Sequence, residues 1–312
     1  MPLKLAFVFP GQGSQHVGML SELASIFPLI EETFSEASEI LNYDVWQLVQ
    51  TDLHQQLNQT QYTQPALLTA SVALWRLWQA QGGHQPSYMT GHSLGEYSAL
   101  VCSGAIPFAT AVNLVRLRGQ YMQSAVPTGQ GAMAAIIGLA DDLIEQSCTA
   151  VADGEVVTPV NYNAPGQVVI AGHTAAVKRA MQACRQAGAK RALLLPISVP
   201  SHCSLMHPAA MQLVEQLTEL ELQMPDITVI QNVTAQVPVN KAELLHNLAA
   251  QLHCPVHWTR CVREMINNGV TIMIECGPGQ VLAGLGKRIN KSVPTIRVST
   301  PAQLEAALKN EL

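Results

Sequence analysis

The sequence predicts an α/β protein built around a mostly parallel sheet, with a smaller unit inserted into the chain. Short apolar runs such as residues 3–9 and 270–275 alternate with longer segments of helical period. Glycine-containing loops follow these runs, which is typical of parallel strands that end at a ligand site. After Gly131 the order becomes strand, helix, strand, strand, helix, strand, which is the ferredoxin-like pattern.

The composition excludes several classes of function. Of the 312 residues 48% are hydrophobic and 12% are charged, with a net charge of -5. A nucleic-acid-binding surface is not expected from this balance. No apolar run is long enough to cross a bilayer, and the run at 3–9 is too short for a signal peptide. We therefore expect a soluble, cytoplasmic protein.

The cysteines indicate reduced thiols. There are seven, an odd number, and they are scattered without a C-x-x-C pair. This distribution fits the cytosol better than a disulfide framework or a zinc site.

The first strand is predicted at residues 3–9, and the loop after it contains Gly11 and Gly13. A dinucleotide-binding fingerprint would need a third glycine at position 16, where the chain has His16. A loop that offers backbone N–H groups to an active site is therefore favoured over a phosphate loop. Helices are predicted next over residues 22–41 and 65–81, the second beginning at Pro65.

The stretch Gly91-His92-Ser93-Leu94-Gly95 has the G-x-S-x-G pattern of a nucleophile elbow. A short strand-like run precedes it, and a helix is predicted from it to about residue 104. Glycine on both sides lets the backbone turn tightly, and the start of the helix directs amide N–H groups towards the reacting atoms. The alternative is a plain turn that opens a helix.

The next predicted helix, residues 108–125, carries an unusual charge. Arg116 lies on a polar face, whereas Arg118 shares its face with alanine, leucine, valine and methionine. A guanidinium on an apolar face is costly unless an anion meets it. Arg118 therefore either forms an internal salt bridge or binds the carboxylate of a substrate.

The inserted unit is predicted at residues 128–197, so that the larger unit comprises 1–127 and 198–312. Within the insertion we expect strands at 132–137, 156–160, 168–171 and 192–195, and helices at 141–152 and 175–187. His202 follows directly and would lie in the crevice between the two units, where sites are common. A lone histidine is more often structural, and its spacing to Cys203 and His207 fits no metal site.

The remainder of the chain continues the α/β pattern. Helices are predicted at 208–220, 241–252 and 261–268, and strands at 227–232 and 270–275. The second of these strands opens into Gly277-Pro278-Gly279 and a helix to about residue 289. This loop lacks the lysine and serine of a Walker motif, so a strand-end loop is the better interpretation.

Several motifs together resemble one family over nearly the whole chain, the malonyl-CoA:acyl carrier protein transacylases of bacterial type II fatty-acid synthesis. The motifs that carry the resemblance are Phe9-Pro10-Gly11-Gln12-Gly13-Ser14-Gln15, Gln64-Pro65-Ala66, Gly91-His92-Ser93-Leu94-Gly95-Glu96, Arg118, Pro200-Ser201-His202, Asn232-Val233, Pro255-Val256 and Gly277-Pro278-Gly279. The resemblance implies an α/β-hydrolase-like larger unit with an inserted ferredoxin-like unit.

The resemblance also implies the roles of particular residues. Ser93 would be the nucleophile and His202 its general base, oriented by the main-chain carbonyl of Gln251. The remaining expected site residues are Gln12 and Leu94, whose N–H groups would form the oxyanion hole, Arg118 for the malonyl carboxylate, and Gln64, Met122 and Met133 around the acyl group.

The function implied is ping-pong transfer of a malonyl group from malonyl-CoA to the phosphopantetheine thiol of acyl carrier protein, with neither a metal nor a redox cofactor. A monomer is expected. Because the carrier is acidic in this pathway and this chain is net negative, docking would need a local basic patch. The candidates for that patch are Lys178, Arg179, Arg185, Lys190, Arg191, Lys287, Arg288 and Lys291.

Other functions remain open from the residues alone. An α/β-hydrolase such as a thioesterase shares the elbow and would need an acid, for which Asp141, Asp142 and Asp153 are candidates. A transacylase for methylmalonyl or uncarboxylated acyl groups is a second possibility, although Arg118 argues against the uncarboxylated case. In a non-catalytic binding module, Ser93 would be only a turn residue.

Overall fold

The computed structural model describes residues 4–197 and 199–309, and two β-sheets of different kinds organise them. The strands are β1 (Leu5–Phe9), β2 (Tyr88–Gly91), β3 (Gly131–Ile137), β4 (Val157–Ala164), β5 (Gln167–His173), β6 (Arg191–Leu194), β7 (Thr228–Val229), β8 (Ile272–Glu275) and β9 (Thr295–Arg297). The larger sheet has the order β7-β2-β1-β8-β9 and is entirely parallel. The smaller sheet has the order β4-β5-β3-β6 and is entirely antiparallel.

Helices cover the two faces of the larger sheet and one face of the smaller one. They are α1 (Ser21–Ala24), α2 (Leu29–Leu41), α3 (Val45–Thr51), α4 (Thr60–Ala80), α5 (Gly95–Cys102), α6 (Phe108–Ser124), α7 (Asp141–Val151), α8 (Thr174–Gln186), α9 (His207–Thr218), α10 (Lys241–Ala250), α11 (Trp258–Asn267), α12 (Val281–Ile289) and α13 (Pro301–Leu308). A short 3₁₀ turn, Ser204–Met206, precedes α9.

The central strand β1 is buried on both faces, as parallel strands between helices are. Its odd-numbered side chains belong to the main core, where Phe7 packs edge-on against Trp75 and Trp78 of α4. Ala6 and Val8 point to the other face and pack in a second cluster with residues of α11 and α12. The predicted α/β class with a mostly parallel sheet is confirmed.

The smaller sheet has the strand order and the antiparallel pairing of a ferredoxin-like unit. Ala134 and Ile136 face α7 and α8, and they form that unit's core. Met133 and Val169 point the other way and pack with Cys203, next to the predicted histidine. The sheet thus turns its helix-free face towards the remainder of the protein.

The sheet and helices of the smaller unit occupy residues 131–194, inside the predicted insertion 128–197. Residue 198, where the predicted boundary falls, lies outside the described residues, as do residues 1–3 and 310–312. The predicted strand start at residue 3 is therefore outside them too. The division into units stays a prediction.

Some predicted elements differ from the structure. The helix predicted from Pro65 begins at Thr60, so Pro65 lies inside it, and the helix predicted at 22–41 is interrupted before Pro28. The strand predicted at 227–232 is reduced to Thr228–Val229, and the helix predicted from residue 261 begins at Trp258. Helices α3 and α13 and strand β9 were not predicted.

The early start of α4 has a tertiary cause. The residues before Pro65 are polar and lack an apolar period, yet Thr63 and Gln64 are buried. The hydroxyl of Thr63 donates to the carbonyl of Gln59, and Gly119 brings α6 so close that a Cβ there would lie 2.7 Å from the Cα of Gln61. Contact with α6 therefore organises this turn, which local propensity alone does not specify.

All seven cysteines are free. Among the described helices, none combines the length and the apolar character needed to cross a membrane.

Candidate active site

The nucleophile elbow forms where β2 ends and α5 begins. Ser93 has a positive φ of 53°, a conformation that side chains rarely adopt and that occurs at strained functional turns. A Cβ on Gly91 would lie 1.9 Å from the carbonyl carbon of Gly95, and one on Gly95 would lie 2.0 Å from the carbonyl oxygen of Phe9. The two glycines are therefore required by close backbone contacts.

We expect Gly95→Ala to lower the free energy of unfolding by about 3 kcal/mol or more, because backbone atoms of β1 and α5 must separate. Gly284→Ala is the matched control: this exposed helical glycine has no atom within 4 Å of the added Cβ. There, alanine should stabilise by about 0.5–1 kcal/mol. Urea unfolding of both variants measures the difference, and similar values would contradict the close-contact argument.

The hydroxyl of Ser93 and the imidazole of His202 form a hydrogen-bonded pair. Ser93 Oγ lies 2.8 Å from His202 Nε2, and His202 Nδ1 lies 2.6 Å from the main-chain carbonyl oxygen of Gln251. With Nδ1–H donating to that carbonyl, Nε2 is left to accept from the serine. Gln251 is the C-cap of α10, where carbonyls lack helical partners and carry the negative end of the helix dipole.

His202 is held as a neutral base. Burial and, after it, the nearby positive charge of Arg118 lower its pKa to about 3, although the hydrogen bond that Nδ1–H donates to the carbonyl of Gln251 acts in the opposite direction. A neutral imidazole beside a serine hydroxyl can accept the proton when the oxygen attacks a carbonyl.

Two backbone N–H groups beside the serine have no acceptor among the described residues. They belong to Gln12, in the loop after β1, and Leu94, directly before α5. The N–H of Ser93 is not free in this way, because it donates to Asn232 Oδ1 at 2.8 Å. Free donors at the start of a helix suit a developing oxyanion.

Arg118 is buried, with 1% exposure, and its guanidinium reaches the nucleophile. It donates to Gln64 Oε1 at 2.8 Å, to Gln251 Oε1 at 2.9 Å and to Ser93 Oγ at 3.3 Å. Among the described residues, its Nε has no hydrogen-bond partner and no carboxylate forms a salt bridge with its guanidinium. The internal salt bridge that the sequence left open is therefore not found there.

These groups surround a cavity of about 60 Å³. Each site residue expected from the sequence lines it, except Gln251, which contacts His202 and Arg118 from behind. Met122 and Met133 are almost fully buried and supply apolar walls, and Gln64 Nε2 lies 3.5 Å from the sulfur of Met122. His92, Asn161, Ile197 and Ser201 complete the lining, and sequence reasoning assigned them no role.

The sequence also missed the residues that brace the elbow. Asn232 donates through Nδ2 to the carbonyl of Gly91 at 2.7 Å, in addition to accepting from Ser93. Its own N–H donates to Glu96 Oε2 at 2.9 Å. The available signals were its position as the last residue of a predicted strand, at the sheet edge where sites form, and its place in the Asn232-Val233 motif.

A second missed contact joins the two sheets. His92 Nε2 lies 2.7 Å from Asn163 Oδ1, which belongs to β4 of the smaller sheet. His92, the residue before Ser93, is therefore connected by a hydrogen bond to the smaller sheet.

None of the three aspartates considered as the acid of a thioesterase contacts His202. Asp141 and Asp142 begin α7 and Asp153 follows it, all in the inserted unit, while His202 Nδ1 is occupied by a main-chain carbonyl. Within residues 4–197 and 199–309, no cluster of three or more histidine, cysteine, aspartate or glutamate side chains is arranged to hold a metal ion.

Comparison with known proteins first defines the class. The family model described as the acyl transferase domain matches residues 6–304, so the chain belongs to the acyl transferases. Over 306 residues the chain is 55% identical to the malonyl CoA-acyl carrier protein transacylase of Escherichia coli K12, covering 98% of this chain and 99% of the relative. The corresponding relative from Bacillus subtilis is 43% identical over 307 residues, with 98% and 96% covered.

Solved structures agree with these relatives. An acyl carrier protein S-malonyltransferase from Vibrio cholerae superposes with a TM-score of 0.95 at 56% identity, covering 97% of this chain and 99% of that one. A malonyl-transacylase solved in complex with a type II PKS acyl-carrier protein gives 0.97 at 53% identity, with 98% and 99% covered. The chain belongs to the malonyl CoA-acyl carrier protein transacylase family.

Proposed function

We propose that this protein moves a malonyl group from malonyl-CoA to the phosphopantetheine thiol of acyl carrier protein, through a malonyl ester of Ser93. The observation that carries the proposal is the Arg118 guanidinium, which is buried within reach of Ser93 Oγ and forms no salt bridge with a carboxylate of the described residues. A substrate that brings its own carboxylate would neutralise this charge.

In the first half-reaction, His202 takes the hydroxyl proton as Ser93 Oγ attacks the thioester carbonyl. The N–H groups of Gln12 and Leu94 stabilise the tetrahedral oxyanion, an interaction whose loss typically costs about 100-fold or more in rate. When the intermediate collapses, the carbon–sulfur bond breaks, and the departing CoA sulfur takes the proton from His202. A malonyl-serine ester remains.

The second half-reaction runs the same steps in reverse order. The carrier's thiol gives its proton to His202 and attacks the ester carbonyl, and the same two N–H groups hold the oxyanion. Ser93 then leaves and recovers the proton from His202. One base serves both halves, so ping-pong kinetics are expected.

Arg118 gives the site its preference for a carboxylated acyl group. The malonyl carboxylate would take the two-pronged hydrogen bonds that a guanidinium offers, replacing the weak contact to Ser93 Oγ. Met122 and Met133 would contact the methylene carbon of the malonyl group. Gln64 would help to hold the guanidinium of Arg118 in place.

The deciding experiment is intact-protein mass spectrometry after brief mixing with malonyl-CoA, alongside acetyl-CoA and a Ser93→Ala variant. The proposal expects one malonyl adduct on the wild type only, little acetyl adduct, and discharge when acyl carrier protein is added. Continuous release of CoA without an adduct would instead indicate a thioesterase. Neither adduct nor release would favour a binding module.

We also propose a docking surface for the carrier. Arg191 pairs with Ile137 in the smaller sheet, Ile137 pairs with Gln167, and Arg288 of α12 donates to Gln167 Oε1 at 2.8 Å. Arg191 and Arg288 therefore lie near the same end of the smaller sheet. Lys287 and Lys291 line an adjacent hollow of about 560 Å³.

The other basic candidates fit docking less well. Arg179 is engaged on the helical side of the smaller sheet, where it pairs with Glu155 at 2.9 Å and donates to the carbonyls of Val151 and Ala152. Arg185 donates to the carbonyl of Ala192. Lys178 is exposed on the same helix as Arg179.

Replacing Lys287 and Lys291 with glutamate should raise the Michaelis constant for acyl carrier protein by about tenfold, because the new negative charges would repel an acidic partner. Acylation by malonyl-CoA should not change. Lys178→Glu is the matched control, with the same charge change behind the smaller sheet. If Lys178→Glu raised the Michaelis constant for acyl carrier protein as much as the change of Lys287 and Lys291 does, the assigned surface would be contradicted.

We propose in addition that the chain consists of a larger unit, 1–127 and 198–312, and a smaller unit, 128–197, and that it acts as a cytoplasmic monomer. Sedimentation velocity measures the oligomeric state, and a concentration-independent dimer would overturn that part.

A further inference from the structure

Glu96 is a buried carboxylate that the reaction steps above do not use. It lies in the first turn of α5 and has 0% exposure. Oε2 accepts from Asn232 N and from Gln251 Nε2, both at 2.9 Å, and Oε1 accepts from Gln231 Nε2 at 3.1 Å. None of these hydrogen-bond donors is cationic, so no direct salt bridge offsets the cost of burying the carboxylate.

The side-chain amide of Gln251 can have only one orientation in these surroundings. Its nitrogen faces Glu96 Oε2 at 2.9 Å, the carbonyl of Ser93 at 3.0 Å and Asn232 Oδ1 at 3.3 Å, all of them acceptors. Its oxygen faces a donor, Arg118 Nη2, at 2.9 Å. Rotating the amide by half a turn would set oxygen against oxygen on one side and N–H against the guanidinium on the other.

Gln251 positions both the guanidinium of Arg118 and the imidazole of His202. Its side-chain oxygen accepts from the guanidinium, and its main-chain oxygen accepts from His202 Nδ1. The carboxylate of Glu96 is the charged member of the acceptor set that orients this residue.

We propose that Glu96 is a positioning residue, whose ionised carboxylate fixes the amide of Gln251 and thereby holds Arg118 in place for the carboxylate of the acyl group. This inference rests on the proposed malonyl transfer. A protonated Glu96 would no longer offer the amide nitrogen a charged acceptor, so the orientation that turns the amide oxygen to Arg118 would be held less firmly. Recognition of malonyl would weaken, while attack on an uncarboxylated acyl group would be affected less.

The charged state of Glu96 changes near neutral pH. Burial raises its pKa to about 7, against the hydrogen bonds from Asn232, Gln251 and Gln231 and the charge of Arg118. As the pH falls through 7, the carboxylate takes up a proton and the orientation is lost. Selectivity for malonyl is therefore expected to decrease as the pH falls below 7.

The neighbouring ionisable groups titrate elsewhere. Burial raises the pKa of Tyr97 to about 12 and lifts that of the Cys261 thiol above its ordinary value. Burial lowers the pKa of His202 to about 3, and desolvation lowers that of His92. The guanidinium of Arg118 stays charged.

The experiment measures acylation of Ser93 by malonyl-CoA and by acetyl-CoA between pH 6 and 8. In the wild type, the ratio of malonyl to acetyl rates should rise about tenfold across this range, as ionisation about a pKa of 7 requires. Taking the ratio cancels the contribution of His202, which serves both donors. In Glu96→Gln the ratio should be flat with pH and at the low value that the wild type has near pH 6.

Glu275→Gln is the matched control. Glu275 is also a buried carboxylate that accepts from neutral donors, the N–H groups of Leu282 and Ala283, but it does not contact Gln251. This variant should keep the wild-type ratio and its pH dependence. A wild-type ratio that is independent of pH would overturn the proposal, and this measurement needs no variant to fold.

Equal loss of both rates in Glu96→Gln, with the pH dependence of the ratio retained, would also overturn the proposal. A wild type that forms no malonyl adduct at all would instead refute the proposed function itself.

Discussion

Replacing Ser93 or His202 with alanine is expected to lower kcat for malonyl transfer by about 10⁴-fold or more, and the double variant should be no worse than either single one. The reason lies in the 2.8 Å contact between Ser93 Oγ and His202 Nε2. A hydroxyl without its base is a poor nucleophile, and a base without the hydroxyl has nothing to activate. The two side chains therefore act as one unit.

Transfer to acyl carrier protein, followed by mass spectrometry of the carrier, measures this effect. Additive losses in the double variant would show that the two residues act independently and would contradict the dyad. Circular dichroism serves as the control for folding, because both positions have positive φ angles and a substitution there must preserve the turn.

The histidine also fixes an expectation for pH. Since burial and Arg118 lower the pKa of His202 to about 3, the base is unprotonated above about pH 4 and its contribution should be flat from there upward. Acetyl transfer should therefore show no acid limb near neutrality. An acid limb near pH 7 for malonyl alone would point to Glu96.

The second large effect is expected at Arg118. Arg118→Ala should lower the rate of Ser93 acylation by malonyl-CoA by about 10³-fold, in keeping with the loss of one partner of a buried charge pair. Acylation by acetyl-CoA should not fall with it, because that group brings no carboxylate. Arg118→Lys should still cost about 100-fold, since an ammonium group cannot form the two-pronged contact.

Arg118 should in addition protect the ester from water. With the acyl carboxylate held by the guanidinium, the carbonyl stays where the carrier's thiol approaches. In Arg118→Ala the malonyl-Ser93 ester should hydrolyse faster, as followed by loss of the adduct in buffer without carrier. If hydrolysis is unchanged and only malonyl affinity falls, the arginine selects the substrate without shielding the ester.

Arg116→Ala provides the control for both measurements. Arg116 lies two residues away on the same helix, but within the described part of the chain its guanidinium hydrogen-bonds only to the side chains of Asn113 and Gln120. Its removal should leave acylation and hydrolysis unchanged.

Much of the fold could be predicted because the elements have strong local signals. The apolar run of β1, the glycines around Ser93 and the strand–helix order of the inserted unit each depend on neighbouring residues. The start of α4 could not be predicted, because burial of Thr63 and Gln64 depends on α6, far along the chain. Likewise β9 is short and only half-buried, and its pairing with β8 determines it.

The residues of the site likewise differ in how far they could be predicted from the sequence. Arg118 was noticeable because a charge stood on an apolar face, and Ser93 because of its glycines. Glu96 and Asn232 belong to motifs of the family resemblance, but no local pattern indicated that they contact each other. They are separated by 136 positions and meet only because the ends of β2 and β7 lie side by side. Hydrogen bonds between residues this far apart follow from the topology and not from any local pattern.

The carbonyl of Gln251 has a consequence for the basicity of His202. A carboxylate behind an imidazole makes it a stronger base and stabilises the imidazolium, whereas a peptide oxygen brings only the partial charge of a helix end. A weaker base gives its proton back readily, which suits a sulfur leaving group. Exchange of one thioester for another releases little free energy, so a catalyst for it must work equally well both ways. The main-chain carbonyl therefore suits a base that takes up and returns one proton in each half-reaction.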